Sequence, residues 1–315
     1  MITYLLIILG LFFLYIGGEL LVVGSVSIAA KARISKLVVG LTIVSFATSC
    51  PEIFVSFKAF LSGSSDIVFA NVIGSNIANI CLVLAITAII FNIKIAQQTL
   101  KFDYLFLLFS TLFVAFFLIL NYKISQFLGI ILILLLLSFL IFTITKSRKE
   151  EKNSKDDLEV DDNGSVSVLK SIVYLVSGIL LLKFGADFLV DGAIEIAEKF
   201  NISERIIGVT IVAIGTSIPE LVTSIVAAFR KEVDLAVGNI IGSNIFNLLL
   251  VLGTTSLIRD IPIEDSKIIL DYTIMFLITV FLGLLLLAKP RYVLSRYKGL
   301  LLLLMYLVYI IYTAI

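Results

Sequence analysis

The sequence predicts an all-α polytopic membrane protein with ten transmembrane helices, arranged as two five-helix repeats of inverted topology. Three observations lead there. The 315 residues are 60% hydrophobic and only 15% charged, and mean hydropathy is +1.15, whereas a soluble domain carries about a quarter charged residues. The sequence also repeats itself at a constant offset. Finally, each repeat holds an odd number of spans, so the second must enter the membrane upside down relative to the first.

Apolar runs of about 20 residues lie near 2–24, 36–61, 67–92, 103–121, 124–145, 168–190, 205–229, 234–258, 268–288 and 296–314. The first, MITYLLIILGLFFLYIGGEL, has no charged n-region or cleavage site and reads as a retained span. The fifth is followed by KSRKEEKNSKDDLEVDDNGSV, which is charge-dense and poor in large apolar residues. It reads as a flexible linker, 146–167, between halves 1–145 and 168–315. Basic residues crowd alternate connections. Lys31, Arg33, Lys36, Lys94, Lys101, the linker, Lys170, Arg230, Lys231, Lys289, Arg291, Arg296 and Lys298 fall on one side, against Lys123, Lys199, Arg205, Arg259 and Lys267 on the other. The positive-inside rule places the linker in the cytoplasm and both termini outside.

The duplication is ungapped. LVVGLTIVSFATSCPE at 37–52 matches RIIGVTIVAIGTSIPE at 205–220, and DIVFANVIGSNIANICLVL at 66–84 matches DLAVGNIIGSNIFNLLLVL at 234–252. The offset of 168 also relates Gly10, Gly17 and Gly24 to Gly178, Gly185 and Gly192, and Asp103-Tyr104 to Asp271-Tyr272. Polar residues held in register through leucine-rich helices mark a true repeat.

Within the second and seventh spans stand Pro51 and Pro219. A proline inside a helix removes one donor and displaces a carbonyl, at about 3 kcal/mol, and lipid offers no substitute hydrogen bond. The carbonyls of Ser45 to Thr48 and of Ala213 to Thr216 are expected to become available as ligands. Beside them are the hydroxyls of Thr48, Ser49, Thr216 and Ser217 and the carboxylates of Glu52 and Glu220. An ionised Glu at mid-bilayer costs about 2.5–3.5 kcal/mol on insertion scales, and a bound cation would offset both that cost and the mutual repulsion. In the third and eighth spans Ser75 and Asn79, and Ser243 and Asn247, are four apart and share a helix face. Oxygen ligands alone suit hard cations such as Ca2+ and Na+. Gly74 and Gly242 read as packing residues, and Asn76 and Asn244 as structural. Glu19, Asp187, Asp191 and Glu195 read as gate-lining or span-end groups, with Lys183 one turn from Asp187. Asp66 and Asp234 complement the dipoles of the helices they open.

Other classes find less support. The net charge of +1 leaves no basic domain for nucleic acid. The absence of histidine removes the commonest proton shuttle and transition-metal ligand. Cys50 and Cys81 suggest neither disulfides nor a metal cluster. No nucleophile–base pair or phosphate loop suggests an enzyme or a cofactor, and broken helices in an inverted repeat suit a transporter better than a channel.

TSCPE and TSIPE, each followed by GSNxxN, resemble the two α-repeats of the cation/calcium exchanger superfamily, here about 37–87 and 205–255. The prokaryotic sodium/calcium exchanger branch is the most similar. The resemblance implies an antiporter in the plasma membrane that exchanges Na+ for Ca2+ by alternating access, with the first and sixth spans sliding over the rest. It implies an ion site of Thr48, Ser49, Glu52, Ser75, Asn79, Ala213 (through its carbonyl, as with Ser45), Thr216, Ser217, Glu220, Ser243 and Asn247. A monomeric functional unit in the lipid bilayer is expected. Asn247 stands where potassium-dependent members have aspartate, which argues against potassium co-transport. One Ca2+ would neutralise two glutamates, whereas the three Na+ that the family implies would leave +1 and make exchange electrogenic. A proton-coupled divalent-cation exchanger is the alternative. Ala47 and Cys50 depart from the glycine and aliphatic residue of the second repeat, so the halves are not expected to bind ions identically.

Overall fold

The computed structural model describes residues 2–153, 167–200 and 213–314. The first half comprises α1 (Ile2–Ala32), α2 (Lys36–Thr48), α3 (Cys50–Leu61), α4 (Ser65–Ile90), α5 (Gln97–Asn121) and α6 (Gln126–Asn153). The second comprises α7 (Val168–Lys199), the single turn α8 (Ala213–Gly215), α9 (Ile218–Phe229), α10 (Val233–Ile258), α11 (Lys267–Leu287) and α12 (Arg296–Ala314). Eight of these helices are long and apolar enough to cross a membrane, and the bent pair α2–α3 makes a ninth span among the described residues. The remaining expected span, 205–229, begins in residues outside those described and continues as α8 and α9. More than half of the expected linker, 154–166, also lies outside them. Its first part is helical, because α6 runs on to Asn153, where the sequence suggested a flexible segment.

Burial separates the centre from the lipid-facing periphery. The apolar stretch of α10 is 94% buried, against 22% for α12. Exposed Leu, Ile and Phe on the outer helices, among them Phe12, Phe116, Phe127, Leu134, Leu277 and Leu304, are what a bilayer requires and water would not tolerate. Four two-residue strands tie the halves together, with β1 (Ile93–Lys94) antiparallel to β4 (Val293–Leu294) and β2 (Lys123–Ile124) to β3 (Ile261–Pro262). At their ends Asp66 opens α4 as expected, and its carboxylate also accepts the N–H groups of Glu264 and Asp265, both at 3.0 Å.

Helices α1 and α7 pack antiparallel along the repeated glycines. A Cβ on Gly17 would stand 2.8 Å from the Leu182 nitrogen, and one on Gly185 would stand 2.8 Å from the Leu14 nitrogen. Backbone therefore touches backbone, the close approach that small residues allow in membranes. Ser27 and Ser171 share a hydrogen bond of 2.7 Å near one end of this pair, while Thr3 bonds Glu195 near the other. At the centre, Gly40 and Gly238 bring α2 against α10, and Gly242 packs on Leu41 and Ser45, as its reading as a packing residue required. Gly74 meets no described residue within 4 Å.

Candidate ion-binding site

The two proline-containing segments fold alike. Helix α2 ends at Thr48, the chain passes through Ser49 at φ −84°, ψ 2°, and α3 begins at Cys50 with its axis turned by 40°. In the second half Ser217 has φ −89°, ψ 2°, and α9 begins at Ile218. Both serines occupy the sparsely populated bridge region. The break is thus at the serine, and each proline lies in the first turn of the following helix, where a missing N–H costs little. This narrows the expected set of freed carbonyls. Ser45 accepts the Ser49 N–H at 2.9 Å, and Ile214 accepts the Ser217 N–H at 3.0 Å, so neither is released by the break. Pro51 and Pro219 have no N–H to offer Ala47 and Gly215, and Ala213 loses the Ser217 N–H to Ile214.

Glu52 and Glu220 stand in the first turns of α3 and α9, where the helix dipole favours a carboxylate. Both are 0% exposed. The ion pairs among the described residues, Lys36–Glu232, Lys123–Asp260, Lys183–Asp187, Lys199–Glu195 and Arg230–Glu19, all leave these two carboxylates out.

The facing helices supply a polar stripe. Asn71, Ser75 and Asn79 follow one another at four-residue spacing on α4, as do Asn239, Ser243 and Asn247 on α10. Asn79 and Asn247 each open a π-helical turn, Asn79–Leu84 and Asn247–Val251, a local widening frequent at functional sites. The halves interlock there, because α3 packs against the turn at Asn247 and α9 against the turn at Asn79.

The hydrogen bonds of this centre map onto one another under the offset of 168. Asn79 donates to the Asn244 side-chain oxygen at 3.2 Å, and Asn247 donates to that of Asn76 at 3.1 Å. Tyr104 donates to the Thr279 carbonyl at 2.7 Å, and Tyr272 to the Thr111 carbonyl at 2.9 Å. Asn71 and Asn239 bond Ser56 and Ser224 at 2.9 and 3.3 Å. Asn239 also accepts the Thr48 hydroxyl at 3.1 Å, and Ser75 donates to Glu52 at 3.4 Å.

Among the described residues, twelve buried side-chain polar atoms have no hydrogen-bond partner, and seven are oxygens of this one centre. They are Ser49 Oγ, Glu52 Oε2, Asn79 Oδ1, Ser217 Oγ, both carboxylate oxygens of Glu220, and Asn247 Oδ1. A buried unpartnered acceptor costs about 1–3 kcal/mol, and more when charged. Asn76 and Asn244 engage the amide N–H groups of Asn247 and Asn79, whose side-chain oxygens are left without a hydrogen-bond partner. Sequence reasoning set Asn76 and Asn244 aside and did not single out Asn71 and Asn239. The signal was present: both pairs repeat at 168, and the second lies four residues before each site serine.

Thr48 and Thr216 also line a cavity of about 630 Å3, together with Pro51, Pro219, Cys50, Phe54, Lys58, Ala186, Asp187 and Asp191. Asp187 is paired to Lys183 at 2.7 Å within α7, as their spacing suggested. The repeat-related groups at the opposite end are in contact instead. Gly18, the counterpart of Ala186, would place a Cβ 3.1 Å from Val222 and Val226, the counterparts of Phe54 and Lys58.

The family model described as sodium/calcium exchanger protein matches residues 2–145 and 170–314. The sodium/calcium exchanger MaX1 of Methanosarcina acetivorans is 31% identical over 356 aligned positions, covering 98% of each chain. The inner membrane protein YrbG of Escherichia coli is 33% identical, covering 89% of this chain and 87% of its own. Among solved structures, the sodium-calcium exchanger NCX_Mj soaked with Na+ and Ca2+ superposes with a TM-score of 0.83 at 33% identity, covering 99% of this chain and 98% of its own.

Proposed function

The chain belongs to the sodium/calcium exchanger protein family, and from that premise we propose that it is a plasma-membrane antiporter exchanging Na+ for Ca2+. The observation that carries the reading is the centre of Glu52 and Glu220, two wholly buried carboxylates that leave three of their own oxygens and those of Ser49, Asn79, Ser217 and Asn247 without partners. Two carboxylates match the charge of one Ca2+, and an all-oxygen shell suits Ca2+ and Na+ over softer metals. The ligands are Thr48, Ser49, Glu52, Ser75 and Asn79 from one half and Ala213 (carbonyl), Thr216, Ser217, Glu220, Ser243 and Asn247 from the other.

Ten spans in two inverted repeats give the scaffold, a reading supported by the hydrogen bonds that recur at 168. The halves 1–145 and 168–315 meet across the ion site, the connecting segment is cytoplasmic, both termini are outside, and one chain is a functional unit. Alternating access follows from the unequal ends. Ala186 stands across a cavity from Phe54 and Lys58, while its counterpart Gly18 is packed on Val222 and Val226. This conformation is therefore open toward the outside, and sliding of the paired α1 and α7 would exchange the two arrangements.

The test is Ca2+ uptake into proteoliposomes under imposed Na+ and pH gradients, with the potential clamped by valinomycin and K+. Uptake driven by outward Na+ at equal pH is the expected result. Uptake that requires only a pH gradient would replace Na+ with H+ as the coupling ion.

A further inference from the structure

We propose that the ion pair between Glu19 and Arg230 is a latch that holds the inner gate shut while the outer cavity is open. The inference rests on the exchanger reading and adds to it a residue pair that touches no transported ion. Glu19 belongs to α1, and Arg230 directly follows α9, the helix that carries Glu220. The Arg230 Nε donates to the Glu19 carboxylate at 2.8 Å, and its Nη2 donates to the same oxygen. One turn away from Arg230, Val226 packs on Gly18. The apolar seal and the ion pair are thus adjacent and join the same two helices.

The repeat shows what the pair does. Glu19 corresponds to Asp187 and Arg230 to Ser62. The glycine contacts place Gly17 near Leu182 and Gly24 near Leu175. Glu19 therefore lies toward the Ser171 end of the α1–α7 pair, and Asp187 toward the Thr3 end. At the closed end the carboxylate bonds across to the body that carries the site. At the open end its counterpart bonds, among the described residues, only within its own helix, to Lys183, and faces the cavity. With a serine at 62, the outer gate has no arginine to match Arg230. Lys58, which lines the outer cavity with Asp187 and Asp191, makes no ion pair among the described residues, so in this conformation the cross-gate pair stands at the closed end and favours the outward-open arrangement. The bias a pair can exert equals its differential strength in the two states. Glu19 and Arg230 are part-exposed, at 25% and 44% of their side chains, so their pairing is in the range of ordinary surface pairs.

The test reads each gate with a thiol. Native Cys50 lines the outer cavity and Cys81 is buried. Val222→Cys in a Cys50→Ala background reports the inner gate, because its labelling tracks the inward-open population. Membrane-impermeant maleimide is applied to right-side-out vesicles for Cys50 and to inside-out vesicles for Val222→Cys. Adding Glu19→Gln or Arg230→Ala is expected to speed labelling of Val222→Cys by about two- to fivefold and to slow that of Cys50. The exchanged pair Glu19→Arg with Arg230→Glu is expected to restore both rates. A general loosening would speed both reporters, so opposite changes separate a latch from simple destabilisation. Unchanged rates at both reporters, or faster labelling at both, overturn the latch. Should Val222→Cys fail to insert, Cys50 labelling alone decides, and an unchanged rate again overturns it. Wild-type proteoliposomes without Na+-driven Ca2+ uptake would sink the exchanger reading instead, a result independent of the labelling.

Discussion

Replacing Glu220 with Gln removes one of two buried charges while keeping shape and one oxygen. Both Glu220 carboxylate oxygens lack hydrogen-bond partners and the residue is 0% exposed, so on the proposed reading a bound cation compensates its charge. Deleting one member of a buried charge pair costs about 3–5 kcal/mol, which at about 1.4 kcal/mol per factor of ten weakens Ca2+ binding roughly 140- to 4,000-fold. The ion-free protein should respond the other way. Without Ca2+ or Na+, a buried carboxylate is costly and an amide of the same shape is not, so the variant should melt at the same temperature as wild type or higher. The assay is thermal unfolding of purified protein in detergent, with chelator and then with Ca2+. At a Ca2+ concentration about 100 times the wild-type Kd, ligand linkage stabilises wild type by about 2.7 kcal/mol and the variant by about 0.3 kcal/mol or less. Proteoliposomes containing the variant should show no Na+-driven Ca2+ uptake. A variant that keeps the Ca2+-induced rise in melting temperature, or keeps transport, refutes the carboxylate pair as the ion's counter-charge.

Three further outcomes follow from the geometry. Gly185→Ala places a Cβ 2.8 Å from the Leu14 nitrogen; forcing α1 and α7 apart should cost about 1–3 kcal/mol, read as a lower melting temperature with slower transport. Asn244→Ala strips the Asn79 amide of its acceptor at 3.2 Å, and should weaken Ca2+ binding about tenfold, as supporting contacts to ligands commonly do, measured by the Ca2+ dependence of uptake. Asp260, outside the spans, is held below the ordinary carboxylate range first by its hydrogen bond from Lys123 and next by the Gln126 N–H. A depressed carboxyl contributes stability above its unfolded pKa and loses it as pH falls through the folded one. Lys123→Ala should therefore melt below wild type at neutral pH, with the gap closing in acid.

Much of the site was legible in the chain because lipid makes polar residues expensive. A Glu beside Pro, Thr and Ser inside an apolar run demands a reason, and its recurrence 168 residues later supplies one. Serine and asparagine at four-residue spacing could be placed on one face by helical periodicity alone. The exact position of the break could not, because Pro51 and Pro219 fit either a helix interior or a first turn, and only the backbone at Ser49 and Ser217 decides. Nor could the use of the Ser45 carbonyl be foreseen, since it depends on whether the Ser49 N–H still reaches it.

The apolar spans, the duplication and the types of oxygen offered beside the two glutamates can be read along the chain, because these follow from local periodicity and from the cost of burying charge. Tertiary structure decided which half each group serves. Asn79 is held by Asn244 and Asn247 by Asn76, Glu19 finds Arg230, and Asp187 is left with Lys183 beside an open cavity. Such pairings join residues more than 150 positions apart, except for Asp187 with Lys183, and they depend on how closely glycine faces let helices approach. No local pattern in a single chain encodes that distance.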